Sequence, residues 1–262
     1  MGEGVADGRK KHRGAAGAGA RLRRTVAAPF GFLLIWFLVS EGMESVLLPG
    51  PIEVTRRFLE LAVPTLLRHA GTSLIRVLAA LAAAVVTALP LGIILGRNSR
   101  ARSLFTPLVY VLYPVPKIAL LPLLFLLVGV GEGSRIMLVW LVLFFQVLVA
   151  VRDAAASIPA EYHRSVQLLG GGRRAFTRFV ILPAILPALI TALRVGSGTA
   201  LAVLFFAETF FTRWGLGIFI VDGWMKASYV DMTTGIVAIG LLGLILFALL
   251  DGAERLFCSW RR

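Results

Sequence analysis

Long apolar stretches separated by short charged segments dominate the chain. Six stretches of 16 to 29 residues carry at most one charged residue each. They cover residues 25–40, 74–96, 104–131, 136–151, 179–207 and 232–250. A membrane helix needs about 20 mostly apolar residues, so the pattern predicts six transmembrane helices, of which 25–40 and 136–151 are borderline in length. We therefore expect an all-α polytopic membrane protein.

The overall composition agrees with this pattern. Of 262 residues, 58% are hydrophobic, and the mean hydropathy is +0.86 although 16% of residues are charged. A soluble domain has about 45–50% apolar residues, so an ordinary soluble fold is excluded. The single cysteine, Cys258, excludes a disulfide within the chain.

The distribution of basic residues predicts the orientation. Of the 27 Lys and Arg residues, 18 lie before the first span, in the second and fourth connections or after the last span, and six lie on the other side. Basic residues are retained in the cytoplasm, so both termini are expected there, and the net charge of +13 needs no nucleic acid. We expect a disordered basic cytoplasmic tail at 1–24, a transmembrane domain at 25–258 within the lipid bilayer, and a basic end at 259–262.

The cytoplasmic connection at 157–187 has the pattern of a short exposed helix. Pro159 suits the first turn of a helix, where a missing N–H costs nothing. The residues spaced i, i+4 and i+7 on one apolar face are Tyr162, Val166 and Leu169. Three glycines from Gly170 then end the helix, because glycine readily adopts the left-handed conformation found at such ends. The stretch predicts a two-turn amphipathic helix joined to the fifth span.

This loop resembles the EAA loop of permease subunits in binding-protein-dependent ABC importers. That motif has an acidic, alanine-rich turn, a glycine and an apolar-x-Leu-Pro ending; Gly170 falls on the glycine, and Leu182 and Pro183 fall on the ending. The Glu-Ala-Ala positions are occupied by Arg164, Ser165 and Val166, and Glu161 stands three residues early. The resemblance implies contact with an ATPase by Glu161, Tyr162, Arg164, Ser165, Val166, Leu169, Gly170, Leu182 and Pro183.

Five further stretches resemble the nitrate, sulfonate and taurine branch of these permeases, in the same order and with comparable spacing. They are LLPGP (47–51), HAGTSLIRV (69–77), YPVPKIALLPLL (113–124), GVGEGS (129–134) and AETFFTRWGLGIFI (207–220). The resemblance covers residues 25–258 and implies a type I ABC importer permease fold in the inner (plasma) membrane. It also implies transport of a small anionic solute by a permease homodimer with cytoplasmic ABC ATPase subunits and an extracytoplasmic solute-binding protein.

Three charged residues are candidates for the translocation pathway. Arg194 lies 11 residues beyond Pro183, about 16 Å into the membrane, and either lines the pathway and attracts an anion or forms a buried pair between helices. Lys117 stands among prolines that must break or kink the third span, in a segment that faces a cavity or packs a dimer. Glu208 lies near the outer end of the pathway or is an ordinary interfacial charge.

Small residues predict where helices approach closely. Gly92 and Gly96 form a GxxxG pair in the second span. Further small faces on the fifth and sixth spans are made by Gly196 with Gly198 and by Gly240 with Gly243.

Two other function classes fit the sequence less well than a permease does. An ion-gradient-driven secondary transporter or channel would leave the 157–187 loop without a role, and proton coupling typically uses acids within the membrane, where only Glu208 approaches a span. A membrane-embedded enzyme needs a nucleophile, a metal or paired carboxylates, which we do not find. With no GxxxxGK[ST] loop and no histidine spacing for a metal, we expect no catalytic residue, metal or cofactor in this chain, and ATP and magnesium on the partner ATPase.

Overall fold

The computed structural model describes residues 29–43 and 46–259, whose regular structure is entirely helical. In chain order the helices are α1 (Pro29–Met43), α2 (Pro51–Leu61), α3 (Leu67–Arg97), α4 (Ser99–Leu112), α5 (Leu121–Val128), α6 (Glu132–Ala156), α7 (Ala160–Leu168), α8 (Arg173–Phe176), α9 (Leu182–Glu208), α10 (Leu216–Met225) and α11 (Tyr229–Phe257). The predicted tail at 1–24 and most of the basic end at 259–262 lie outside the described residues.

In the described part of the chain, four helical stretches are long and apolar enough to cross a membrane. They are Pro51–Arg97, Glu132–Ala156, Arg173–Glu208 and Tyr229–Phe257. The first and third of these stretches each consist of two helices connected by a single π-helical turn. The turn Ala62–Leu66 connects α2 to α3, and the turn Thr177–Ile181 connects α8 to α9. The predicted spans at 74–96, 136–151, 179–207 and 232–250 are therefore confirmed as long apolar helices.

The third predicted span, 104–131, is a bent pair of helices. α4 and the segment Lys117–Val128 meet at an angle of 82°. Pro114 and Pro116 lie at the break, where a proline removes a backbone donor and clashes with the preceding turn. The predicted break is confirmed, and the pair makes a fifth candidate span if its two halves form one crossing.

The first predicted span, 25–40, corresponds to α1. The described helix Pro29–Met43 is apolar but shorter than the roughly 20 residues that a crossing needs. Six crossings therefore stay a prediction.

The core is a layer in which α6 lies between α3 and α9, and the contact of α3 with α6 is the most extensive. A Cβ atom at Gly92 would lie 2.8 Å from Val151 Cβ, and one at Gly96 would lie 2.6 Å from Ala155 Cβ. Only glycine permits such an approach, so the GxxxG prediction is confirmed. At Gly198 and Gly240 the prediction is wrong within the described chain, because both face open space.

Candidate functional site

α7 is a short helix whose end is fixed by its backbone. It begins after Pro159, and Gly170 beyond its C-terminus has a φ of +78°. The Gly170 N–H donates to the carbonyl of Gln167 at 2.9 Å, and the Gly171 N–H donates to that of Val166 at 2.8 Å. These two bonds form a Schellman motif, which needs a left-handed residue at this position. The predicted helix and its glycine stop are confirmed.

One face of α7 is held against the long helices. The His163 ring meets the Phe176 ring edge-on, with centroids 4.7 Å apart. The Arg97 guanidinium, at the end of α3, lies 5.3 Å from the same Phe176 ring and donates to the carbonyl of Ile158 at 3.0 Å. α7 is thereby anchored both to α3 and to the segment that leads into α9.

The other face of α7 is open apolar surface. Leu168 and Leu169 are 88% and 87% exposed, and Tyr162 is 56% exposed. Burying one leucine is worth about 1.5–3 kcal/mol, so two adjacent leucines left in the open are typical of a surface that a partner covers. Of the predicted apolar face, Val166 is partly buried. Leu168 belongs with the exposed face although the spacing pattern did not single it out.

The remaining predicted coupling residues fall into two groups. Glu161, Arg164 and Ser165 are exposed on α7, and the Ser165 hydroxyl donates to the Glu161 carbonyl at 3.0 Å. Leu182 and Pro183 lie instead in the first turn of α9. The structure brings together the α7 residues, whereas the Leu-Pro ending of the loop marks where α9 begins after the π-helical turn.

A cluster of charges lies where α3 and α9 meet the beginning of α6, and all its members except Glu132, which is 60% exposed, are buried. The Arg76 and Glu208 side chains are 2% and 0% exposed. Arg76 Nη1 donates to Glu208 Oε1 at 2.6 Å. Arg76 Nε and Nη2 donate to the two oxygens of Glu132, each at 2.5 Å. Charges taken out of water need such partners, because the lost hydration costs several kcal/mol per ion.

Both oxygens of the Glu208 carboxylate accept hydrogen bonds. The Ser73 hydroxyl lies 2.8 Å from Oε1, and the Gly217 N–H donates to Oε2 at 2.9 Å. A Cβ atom at Gly217 would lie 2.7 Å from Glu208 Cβ. The Leu216 N–H donates to Ser73 Oγ at 2.9 Å, so the carboxylate and the hydroxyl together hold the first turn of α10.

Arg135 fixes the loop between α9 and α10. Its side chain is 3% exposed, and Nη2 donates to the carbonyls of Phe210 and Phe211 at 3.0 and 2.7 Å. Phe211 has a φ of +50°, a left-handed conformation that costs a non-glycine residue about 1–2 kcal/mol. The guanidinium contacts help to hold the loop in this shape.

The three predicted pathway residues have different surroundings. Glu208 is fully buried, so its interpretation as an interfacial charge is wrong. Arg194 forms ion pairs with Asp251, at 2.7 Å, and with Glu254. Lys117 Nζ donates to the carbonyls of Leu112 and Tyr113 at the end of α4 and lies 4.9 Å from the Phe145 ring centroid.

The expectation that only Glu208 among the acids approaches a span is also wrong. α11 continues to Phe257, and its last two turns carry Asp251 and Glu254. The Arg194 guanidinium forms ion pairs with both acids, and Asp251 is in addition 51% exposed.

Sequence reasoning missed most of the buried cluster. Its unpredicted members are Ser73, Arg76, Glu132 and Arg135. The available signal was Arg76, a lone charge in an apolar stretch, since a charge at that depth requires a partner. Its partners lie 56 and 132 residues away, and no local pattern indicates them.

A comparison with protein families identifies the family of this chain. The profile of the family described as binding-protein-dependent transport system inner membrane component matches residues 88–261. This chain belongs to that family. As such a component it is an ABC transporter permease and not an enzyme, since ATP hydrolysis in these transporters is carried out by a separate ATPase.

Relatives of this permease support the assignment to the nitrate, sulfonate and taurine branch. The chain is 31% identical over 236 residues to the taurine transport system permease protein TauC of Escherichia coli, covering 87% of this chain and 86% of TauC. It is 25% identical over 224 residues to the nitrate import permease protein NrtB of Synechocystis sp., covering 82% of this chain and 81% of NrtB. The resemblance seen in the sequence is confirmed.

A solved structure shows the fold of the permease. The chain is similar to one chain of the MetNI methionine ABC transporter in an inward-facing conformation, with a TM-score of 0.62 and 19% identity. The likeness covers 76% of this chain and 98% of the MetNI chain. The permease is therefore a multi-pass helical membrane protein with the fold of an ABC transporter.

Proposed function

We propose that this permease forms, as a homodimer in the inner membrane, the translocation pathway for a small anionic solute. An extracytoplasmic binding protein delivers the solute, and both termini lie in the cytoplasm. Relatives named for taurine, nitrate and bicarbonate transport support an anion, because each of these solutes presents an anionic group. The excess of basic residues on the side of the termini supports the orientation.

The proposal has its main support in the open face of α7. Leu168 and Leu169 are almost fully exposed, although the opposite face of the same helix is anchored through His163 and Arg97. Cytoplasmic ABC ATPase subunits, which bind ATP and magnesium, cover this face. Their closure moves α7, and the contacts with Phe176 and α3 pass the movement to the long helices.

Lys117 is the cation best suited to attract the solute. Within residues 29–43 and 46–259, no carboxylate lies within ion-pair distance of Lys117, whose Nζ is bound to main-chain carbonyls. Arg194, in contrast, is paired with Asp251 and Glu254. In this proposal Lys117 supplies the positive charge at the bend of the pathway, and Arg194 ties α9 to α11.

Co-purification and uptake test the proposal. The variant with Leu168→Asp and Leu169→Asp replaces the apolar face of α7 with charge, and Gln167→Asp on the same helix is the matched control. Each leucine is worth about 1.5–3 kcal/mol when buried, so the double variant should retain at most about one tenth of the ATPase that the unmodified permease retains. The control should retain it fully.

Uptake of taurine, nitrate or bicarbonate is then measured in proteoliposomes that contain the ATPase and the binding protein. ATP-driven uptake should fall in parallel with ATPase retention in the double variant. Uptake that continues without the ATPase and collapses with an ion gradient would instead identify a secondary transporter.

A further inference from the structure

A cavity of about 620 Å³ lies beneath α7, between the end of α3 and the segment that leads into α9. α7 contributes only His163 to its lining, the residue on its anchored face. The exposed Leu168 and Leu169 do not line it. The cavity therefore lies on the side of α7 that faces the long helices, away from the surface assigned to the ATPase.

The cavity has a basic lining. Among the described residues, Arg97 and Arg173 line it and no acidic residue does. In the part of the chain that the structure describes, neither guanidinium lies within 4 Å of a carboxylate oxygen; Arg97 donates to main-chain carbonyls, the nearer being that of Ile158. His163 Nδ1, also in this wall, is buried without a hydrogen-bond partner. Guanidinium groups without a carboxylate are suited to an anion, above all to a phosphate.

The opposite wall of the cavity is aliphatic. Ile93 and Ile94 come from the last turns of α3, and Ile181 comes from the π-helical turn before α9. Ile94 is 51% exposed, so this wall continues onto the outer surface of two apolar helices. A soluble phosphate would satisfy the guanidinium groups but would leave this wall uncovered.

We propose that the cavity holds an anionic phospholipid. Its phosphate lies against Arg97 and Arg173, and its acyl chains run along Ile93, Ile94 and Ile181. Basic pockets between membrane helices on the cytoplasmic side are suited to such headgroups, and the placement depends on the orientation given in the proposed function. The lipid fills the space between α7 and the bilayer and so packs against the side of α7 that faces the long helices.

Native mass spectrometry of the full-length permease tests the proposal. The protein is exchanged into delipidating detergent and offered phosphatidylglycerol or phosphatidylcholine with identical acyl chains. Arg173→Gln removes one of the two guanidinium groups; its side chain is exposed and makes no hydrogen bond or ion pair within the described residues, so the fold should be unaffected. Arg174→Gln is the matched control, because Arg174 is the exposed neighbour that does not line the cavity.

The unmodified permease should retain phosphatidylglycerol in preference to phosphatidylcholine. Arg173→Gln should lower phosphatidylglycerol retention about fivefold, since one basic residue contributes about 1 kcal/mol to binding of an anionic lipid. Arg174→Gln should retain it like the unmodified protein. Ile94→Gln, which makes the aliphatic wall polar, should lower retention of phosphatidylglycerol as well.

Three results would overturn the proposal. Equal losses in Arg173→Gln and Arg174→Gln would mean general attraction to a basic surface. Displacement of phosphatidylglycerol by millimolar inorganic phosphate would mean a site for a soluble anion. Equal retention of the two lipids would mean no recognition of charge. Neither ATPase nor solute is present, so these results do not depend on whether α7 docks on an ATPase.

Discussion

Arg76 Nη1 donates to Glu208 Oε1 over 2.6 Å, and the two side chains are 2% and 0% exposed. The two residues are 132 positions apart in the sequence, so their contact ties α3 to the end of α9. Because both charges are withdrawn from water, removing one leaves the other uncompensated. Such a loss costs about 3–5 kcal/mol in buried pairs.

We expect Glu208→Gln to destabilise the permease far more than Glu132→Gln. Both Glu208 oxygens accept hydrogen bonds, so the amide of a glutamine would place a donor against a donor. Glu132 binds the same arginine but is 60% exposed, and water can replace its charge. Thermal unfolding of the detergent-solubilised protein checks this, and an equal loss of stability in the two variants would contradict the importance of burial.

The contact of α3 with α6 gives a second prediction. Gly96→Ala should destabilise by about 1–3 kcal/mol, the usual cost of overpacking, because its Cβ atom would lie 2.6 Å from Ala155 Cβ. Gly240→Ala is the control, since nothing lies within 4 Å there and alanine favours a helix by about 1 kcal/mol. The same unfolding assay applies. Gly96→Ala with unchanged stability would mean that α3 and α6 are further apart than described.

Gly170 should be needed for coupling because of its backbone conformation alone. No atom would contact a Cβ there, yet alanine at a φ of +78° is strained by about 1–2 kcal/mol. Gly170→Ala should therefore loosen the end of α7 and lower the number of solute molecules transported per ATP hydrolysed. Gly172→Ala, at a φ of −88° and also in open space, should behave like the unmodified protein. Equal coupling ratios in both variants would argue against a rigid α7.

Arg194 can be tested as an ion-pair residue by removing its partners. Arg194→Ala leaves Asp251 and Glu254 unpaired, and these acids should repel an anionic solute and lower its uptake. Adding Asp251→Ala and Glu254→Ala should restore much of that uptake, because no uncompensated charge is left. Uptake that stays low in the triple variant would show that the two acids are not the cause, and that Arg194 is needed either to tie α9 to α11 or to attract the solute.

The sequence predicts the long helices and the end of α7 for local reasons. Apolar stretches longer than about 20 residues have few folded alternatives in a bilayer, and the Gly170 region ends a helix through its own backbone bonds. The break near Pro114 and Pro116 follows from proline chemistry at those positions. Each of these features depends on residues close together in the chain.

The buried cluster and the true end of α11 depend on distant residues instead. Asp251 and Glu254 end an apolar stretch, so a count of uncharged residues stops before them, whereas Arg194 on another helix allows α11 to continue to Phe257. Arg76 likewise signals a missing partner without identifying Glu208. Pairings of this kind are set by how the helices pack and cannot be predicted from one sequence.

The continuous helical run Arg173–Glu208 is long enough to turn a small tilt into a large displacement. At 1.5 Å per residue its 36 residues extend about 54 Å, so a tilt of about 5° at one end displaces the other end by about 5 Å. The hydrogen bonds of the Glu208 carboxylate, 2.6 to 2.9 Å long, cannot stretch by that amount. A displacement of that size requires either that α3 and α10 move with the end of α9 or that the hydrogen bonds of Glu208 to Arg76 and Gly217 break.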